Sequence, residues 1–147
     1  LGYFKNEEAT AEVFTEDVWF RTGDMGVLDT DGSLFIKGRT KCMILGPSGQ
    51  NIYPEEVETV INSQPYVVES LVIEDNGGLT ALIYPDFQQG AKDGMPQDEF
   101  VKYMEGTLSE LNRELPNYAK LKKIEVMSED FERTPKKSIK RYLYQRN

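Results

Sequence analysis

The stretch Trp19-Phe20-Arg21-Thr22-Gly23-Asp24 reads as a strand ending in a glycine turn with a carboxylate just beyond it. A carboxylate there can accept hydrogen bonds from both hydroxyls of a ribose. The ordinary alternative is a turn aspartate. Fifteen residues later, Gly38-Arg39-Thr40-Lys41 offers a planar guanidinium fork that suits ribose oxygens, a phosphate or a carboxylate. Its ordinary alternative is a surface ion pair, with Asp24 within reach across a hairpin. A third stretch, from Ser48 to Glu58, is a glycine loop entering a helix. Such a loop lets a ligand approach the backbone closely, and a helix N-terminus can hold an anion. Glu55, Glu56 and Glu58 argue against phosphate at this end, and a turn followed by a capped helix is the plain alternative.

A basic tail completes the set. Residues 1–119 carry 8 basic and 21 acidic side chains, whereas residues 120–147 carry 9 basic and 4 acidic. The tail reads either as a solvated surface or as a face that receives phosphates. The acidic remainder would repel a polyanion, so no nucleic-acid partner is expected.

Composition removes several chemistries. The 147 residues include no histidine and one cysteine. Ser-His-Asp and Cys-His sites and His-ligated zinc are therefore excluded, and no metal site is assigned. Cys42 alone forms no internal disulfide, which fits a reducing compartment; it is expected as a buried strand residue. No apolar run approaches the roughly 20 residues that cross a bilayer. The N-terminus lacks the basic start and apolar stretch of a signal peptide, and the missing initial Met points to a piece of a longer chain.

The elements that must position these residues follow from periodicity and turn chemistry. Val18 to Leu28 and Ser33 to Lys37 read as a hairpin around Asp29-Thr30-Asp31-Gly32. Cys42 to Leu45 reads as a short strand, and Gly46-Pro47-Ser48-Gly49 as a loop. Pro54 opens a helix over 55–62, with Val57, Val60 and Ile61 on one face. Val67 to Glu74 and Leu79 to Tyr84 read as strands joined by Asp75-Asn76-Gly77-Gly78. A single helix is expected over 97–115, with Phe100, Met104, Leu108, Leu111 and Leu115 as a buried stripe. Leu121 to Met127 is a further strand, and Ile139 to Tyr144 one or two helical turns. The expected fold class is α+β: a small mixed or antiparallel sheet with packed helices, preceded by a β-hairpin segment. Residues 1–37 form a separate β unit, too few to be a domain alone.

The ordered combination is more specific than any part. Arg-Thr-Gly-Asp, Gly-Arg-x-Lys, Gly-x-Asn-Ile-x-Pro-x-x-Val-Glu and a late Thr-Pro-x-Lys resemble the C-terminal part of the adenylate-forming superfamily, which includes acyl-CoA synthetases, luciferases and peptide-synthetase adenylation domains. The likeness covers nearly the whole chain. It implies that residues 1–40 are the end of a large N-terminal adenylation domain and that 41–147 are a mobile C-terminal lid. The stretch Lys41 to Pro54 and the tail Thr134 to Arg141 are similar to the forms in long-chain fatty acid CoA ligases.

The resemblance implies roles residue by residue. Asp24 matches the aspartate that holds the ribose hydroxyls of ATP and acyl-adenylate, and Arg39 the arginine beside it. Lys41 falls at the hinge on which the lid rotates between half-reactions. Gly49 matches the glycine that lines the pantetheine tunnel. The implied reaction activates a fatty acid with ATP and Mg2+ to acyl-AMP, then passes the acyl group to CoA.

One departure concerns the catalytic lysine. In this family the adenylation lysine lies just before an aliphatic residue and three before an arginine, a count that lands on Ser138. A hydroxyl cannot supply the positive charge that stabilises a pentavalent phosphate. Lys137, shifted by one residue, is the favoured substitute; Lys136 and Lys140 are the others. Alternatives remain: adenylation for a carrier-protein thiol, or a non-catalytic binding or regulatory remnant permitted by Ser138. The isolated chain is expected to be inactive, its partners being the missing N-terminal domain, fatty acid, ATP and CoA. The parent enzyme is expected to be cytoplasmic with no transmembrane segment, and peripheral membrane association is left open.

Overall fold

The structure, a computed structural model, describes residues 2–146. The chain divides into two compact units, Leu1–Cys42 and Met43–Asn147.

The first unit opens with a helix that periodicity does not announce, α1 (Glu7–Val13). Its start is set by Asn6, whose side chain accepts from the Ala9 amide at 3.0 Å, with Glu7 and Glu8 favourably placed in the first turn. The long strand expected over Val18 to Leu28 is shorter. Only β1 (Asp24–Leu28) pairs with β2 (Leu34–Arg39), antiparallel. Val18 adopts a φ of 66° in a turn closed by its amide on the Thr15 carbonyl, which interrupts the extended run. Phe14 and Phe20 then meet across an isolated bridge, ring centroids 5.5 Å apart. None of the described residues of this unit is buried, and Val27, Leu28, Leu34, Phe35 and Ile36 are all more than half exposed.

The second unit carries the core. A two-stranded ribbon, β3 (Ile44–Leu45) and β4 (Asn51–Ile52), leads into α2 (Pro54–Asn62). Proline at the first helical position and Glu55 and Glu56 in the first turn suit a helix start, although no side chain caps it. Then come β5 (Val67–Asp75) and β6 (Gly78–Pro85), joined by Asn76 and Gly77 at φ of 50° and 70°. That pair of left-handed residues is the turn a tight hairpin requires. Helices α3 (Phe87–Lys92), α4 (Gln97–Gly106) and α5 (Leu108–Glu114) carry the chain to β7 (Leu121–Val126). Sheet order is β5-β6-β7, the first pair antiparallel and the second parallel, so the sheet is mixed and the fold α+β.

Alternation along the strands builds two cores on opposite faces. Val72, Ala81 and Ile83 face α2, α4 and α5 with Ile61, Phe100, Met104 and Leu111. Leu71, Ile73 and Leu82 face Phe131 of the tail.

The single helix expected over 97–115 is two. It breaks at Thr107, whose hydroxyl donates to the Met104 carbonyl at 2.7 Å, just after the poor helix former Gly106. The stripe survives the break, because Phe100, Met104, Leu111 and Leu115 are buried and Leu108 is half-buried. Cys42 is not in a strand but in a 3-10 turn, Thr40–Cys42, and is half-buried. Helix α3 went unread for want of an apolar stripe; Asp86 starts it, accepting from the Gln89 amide at 2.9 Å. Near the C-terminus, Arg141–Leu143 forms one 3-10 turn, within the one or two helical turns expected over Ile139 to Tyr144.

Candidate functional site

Asp24 and Arg39 are partners in the β1–β2 register. The guanidinium Nε lies 3.0 Å from Asp24 Oδ1, and Nη1 donates to the Thr22 carbonyl at 2.9 Å. The Thr40 amide donates to the Gly23 carbonyl at 2.9 Å, and Gly23 takes a φ of 76° that glycine adopts without strain. The ion pair that the sequence offered as the ordinary alternative therefore exists. It stands at the surface, with the Asp24 side chain about a third exposed at 34%. Such a pair contributes at most about 1 kcal/mol to stability, so its geometry is better read as orientation than as stabilisation. A carboxylate held through one oxygen keeps acceptor capacity for hydroxyls.

Lys41 lies exposed in the 3-10 turn Thr40–Cys42, two residues before the second unit begins. Gly49 is exposed at the tip of the β3–β4 ribbon with a φ of 78°. Its neighbours Ser48 and Gln50 line a cavity of about 410 Å³ together with Tyr118, Lys120 and the Gly77–Gly78 turn.

The tail forms a second hairpin of the same build. In the ribbon, the Gly46 amide donates to the Gln50 carbonyl at 2.8 Å and the Gly49 amide to the Gly46 carbonyl at 2.9 Å. In the tail, the Thr134 amide donates to the Ser138 carbonyl and the Lys137 amide to the Thr134 carbonyl, both at 2.8 Å. A bridge between Arg133 and Ile139 continues the tail hairpin. The left-handed residue of this turn is Gly49 in the ribbon and Lys137 in the tail, at φ of 64°. The β1–β2 turn repeats the pattern with Gly32.

The three candidate lysines separate here. Lys136 and Lys137 are exposed at the tip and make no ion pair among the described residues. Lys140 is spent on Glu132, Nζ to Oε2 3.2 Å. Ser138 is exposed, its amide donating to Thr134 Oγ1 at 3.3 Å. Most of the tail's other charges are also paired with carboxylates. Arg133 pairs with Glu69 and Asp130, Arg141 with Glu58, and Arg146 with Glu125 and Asp75. Two salt links on Glu125, from Arg146 and then Lys123, hold its carboxyl down at about 2.

The sequence reading missed Glu58 as an inward group. It is 7% exposed, accepts the Val72 amide at 2.7 Å on the open edge of β5, and receives Arg141. Burial pushes its carboxyl above the ordinary range, and Arg141 opposes that shift. The signal lay in the spacing. Pro54, Val57, Glu58 and Ile61 share the buried face of α2, and a glutamate on that face requires a cationic partner.

Comparisons with known proteins agree on the family. Residues 42–147 match the family described as "AMP-binding enzyme C-terminal domain". The Long-chain-fatty-acid--CoA ligase FadD15 of Mycobacterium tuberculosis is 29% identical over 95% of this chain, and 2-methylpropanoate--CoA ligase CCL4 of Humulus lupulus is 32% identical over 97%. The chain spans about a quarter of these relatives, 26% and 25% of their lengths. Among solved structures, ATP-bound MatB from Rhodopseudomonas palustris is similar at 30% identity and a TM-score of 0.71, over 97% of this chain and 27% of that one. The chain belongs to the family of AMP-binding enzyme C-terminal domains, which it matches over residues 42–147.

Proposed function

We propose that this chain is the C-terminal part of a long-chain fatty acid CoA ligase. The parent would convert a fatty acid and ATP to acyl-AMP and pyrophosphate, then pass the acyl group to the thiol of CoA. Residues 1–40 would end the large N-terminal domain, whose surface would cover the exposed apolar side chains of β1 and β2, and 41–147 would be the mobile lid. The likeness to FadD15 supports the long-chain substrate. Asp24 and Arg39 hold the ribose hydroxyls of ATP, Lys41 serves as the hinge, and Gly49 lines the pantetheine path. No helix among the described residues is long and apolar enough to cross a membrane.

The observation that carries the site is Lys137. A side chain in the left-handed region costs roughly 1–2 kcal/mol, yet a lysine stands there where the two sister turns use glycine. Lys5, Val18, Tyr66 and Asn76 adopt the same region, so the conformation supports a functional reading of Lys137 only together with its exposed place at a hairpin tip. Its ammonium is free to offset charge on the α-phosphate, which supports the reading of Lys137 as the adenylation lysine displaced by one residue from Ser138. No group of three or more metal-binding side chains occurs among the described residues.

The test uses the full-length parent with ATP, magnesium, CoA and acids of graded length, following acyl-AMP and acyl-CoA. Acyl-CoA from long-chain acids supports the reading. Best turnover of a short branched acid would instead favour the second reading, to which the likeness to CCL4 points. Acyl-AMP without acyl-CoA would indicate a carrier-protein thiol, and neither product a non-catalytic remnant.

A further inference from the structure

The guanidinium of Arg133 is the one side chain that holds the backbone of Lys137 among the described contacts. Its Nη1 donates to the Lys137 carbonyl at 3.3 Å, while Nη2 pairs with Glu69 on edge strand β5 and lies 3.1 Å from Asp130 Oδ1. Arg133 is half-buried, and two residues before it Phe131 is 3% exposed and packs edge-on against Tyr144 at 5.3 Å. The turn itself adds two backbone bonds of 2.8 Å around Lys137. A strained residue persists only where its surroundings over-determine it, and Arg133 supplies the tie from the turn to the sheet.

We propose that Arg133, anchored by Glu69, is a positioning residue for adenylation: it fixes the left-handed backbone of Lys137 and so aims the ammonium at the tip of the tail hairpin. This rests on the reading of Lys137 as the adenylation lysine. The fork geometry matters, because one guanidinium serves the Lys137 carbonyl and two carboxylates at once, and an ammonium cannot span them in the same plane. Arg133 touches no substrate in this scheme. Its effect is confined to the half-reaction in which Lys137 acts and is absent from the thioester half-reaction, which uses the Gly49 face.

The experiment uses the full-length parent with Arg133→Met, Arg133→Lys, Glu69→Gln, Lys137→Ala and the double variant Arg133→Met/Lys137→Ala. Acyl-AMP formation is measured from acid and ATP, and thioester formation from supplied acyl-AMP and CoA. Misplacing a catalytic group by about 1 Å costs on the order of a hundredfold. Arg133→Met is therefore expected to lose tenfold to a hundredfold in acyl-AMP formation, roughly, with thioester formation within about twofold of the parent. Arg133→Lys and Glu69→Gln fall between. In the Lys137→Ala background, removing Arg133 adds no further loss, since a residue acting through Lys137 has nothing left to position.

Equal losses in both half-reactions, or a further loss in the double variant, would overturn the proposal and leave Arg133 a general structural residue. Unchanged acyl-AMP formation in Arg133→Met would overturn it as well. Full adenylation by Lys137→Ala alone would instead remove the reading of Lys137 on which it stands. Should Arg133→Met fail to fold, the milder Arg133→Lys and Glu69→Gln carry the same comparison.

Discussion

Lys137 occupies in the tail hairpin the position that Gly49 occupies in the β3–β4 ribbon. Both turns close with the same two backbone hydrogen bonds, and both place this residue in the left-handed region, at 64° and 78°. Proline precedes it by two positions in each, at Pro47 and Pro135. A single turn geometry thus serves two hairpins of the second unit. In one the crowded position is left bare, and in the other it holds a lysine.

The first prediction follows from that substitution of roles. Lys137→Gly relieves the backbone and is expected to raise stability by about 0.5–1 kcal/mol, measured by denaturant unfolding of the chain. The same change is expected to lower acyl-AMP formation by the full-length parent on the order of a hundredfold or more, as for loss of a charge-stabilising donor. Stability and activity should move in opposite directions. A Lys137→Gly enzyme of normal adenylation rate would refute the role.

Asp24 and Arg39 test orientation against stability. The pair is exposed, so Asp24→Ala and Arg39→Ala should each change unfolding free energy by less than about 1 kcal/mol. A hydrogen bond to a charged group is worth about 1.5–3 kcal/mol when made to a ligand, so the KM for ATP should rise roughly tenfold to a hundredfold in the parent. Titration of ATP against both variants decides it, an unchanged KM meaning that the pair is only a strand-end link.

Acid stability should depend on Glu125. Its folded carboxyl sits at about 2 against an ordinary 4.5, because Arg146 and Lys123 favour the charged form. As pH falls below 4.5, the unfolded chain takes up this proton before the folded chain does. The stabilisation is therefore present above 4.5 and is lost progressively as pH falls to about 2. Glu58 acts in the opposite sense. Its folded pKa is raised, so its contribution grows as pH falls through that raised value. Unfolding between pH 2 and 5 should show a shallower pH slope in Glu125→Gln than in the parent sequence, and an identical slope would remove Glu125 from the account.

Gly90 sets helix propensity against packing. Alanine there would favour α3 by about 1 kcal/mol on propensity alone. A Cβ at Gly90 would stand 2.8 to 2.9 Å from the Phe100 ring, which is 1% exposed and confined by Tyr66 and Phe87. Overpacking of a confined ring costs roughly 1–3 kcal/mol, so net destabilisation is expected in thermal unfolding. A rise in melting temperature would show that the ring can move aside.

Buried glutamate is the last test. Glu58→Leu removes the acceptor of the Val72 amide and the carboxylate that Arg141 pairs with, and breaking a buried pair from one side costs about 3–5 kcal/mol. Glu58→Gln keeps an acceptor for the amide and should cost less. The ratio of the two, read from denaturant midpoints, separates the hydrogen bond from the charge.

Local rules determined a good part of this molecule. Pro54 and the two glutamates behind it start α2, Asn76-Gly77 turns β5 into β6, and the stripe from Phe100 to Leu115 was legible as core because burial on a helix repeats at three and four residues. The ordered motifs carried the family, and the spacing of Asp24 and Arg39 already allowed them to meet across a hairpin. Short elements without a stripe, α1 and α3, left only a capping side chain as their trace, and the break at Thr107 rests on one hydroxyl turning back to its own helix.

Tertiary structure decided where the charges go. The tail is basic as a string of letters, but Arg133, Lys140, Arg141 and Arg146 each meet a carboxylate, three of them on Glu58, Glu69 and Glu125, more than twenty residues away or across the sheet. Composition counts charges without saying which are neutralised, because pairing depends on distances that only the folded chain sets. The same holds for Lys137, favoured from the sequence, and for its alternatives Lys136 and Lys140, alike in residue type. Folding alone puts the first two at an open tip, binds the third to Glu132, and places the backbone of Lys137 in a region lysine seldom adopts.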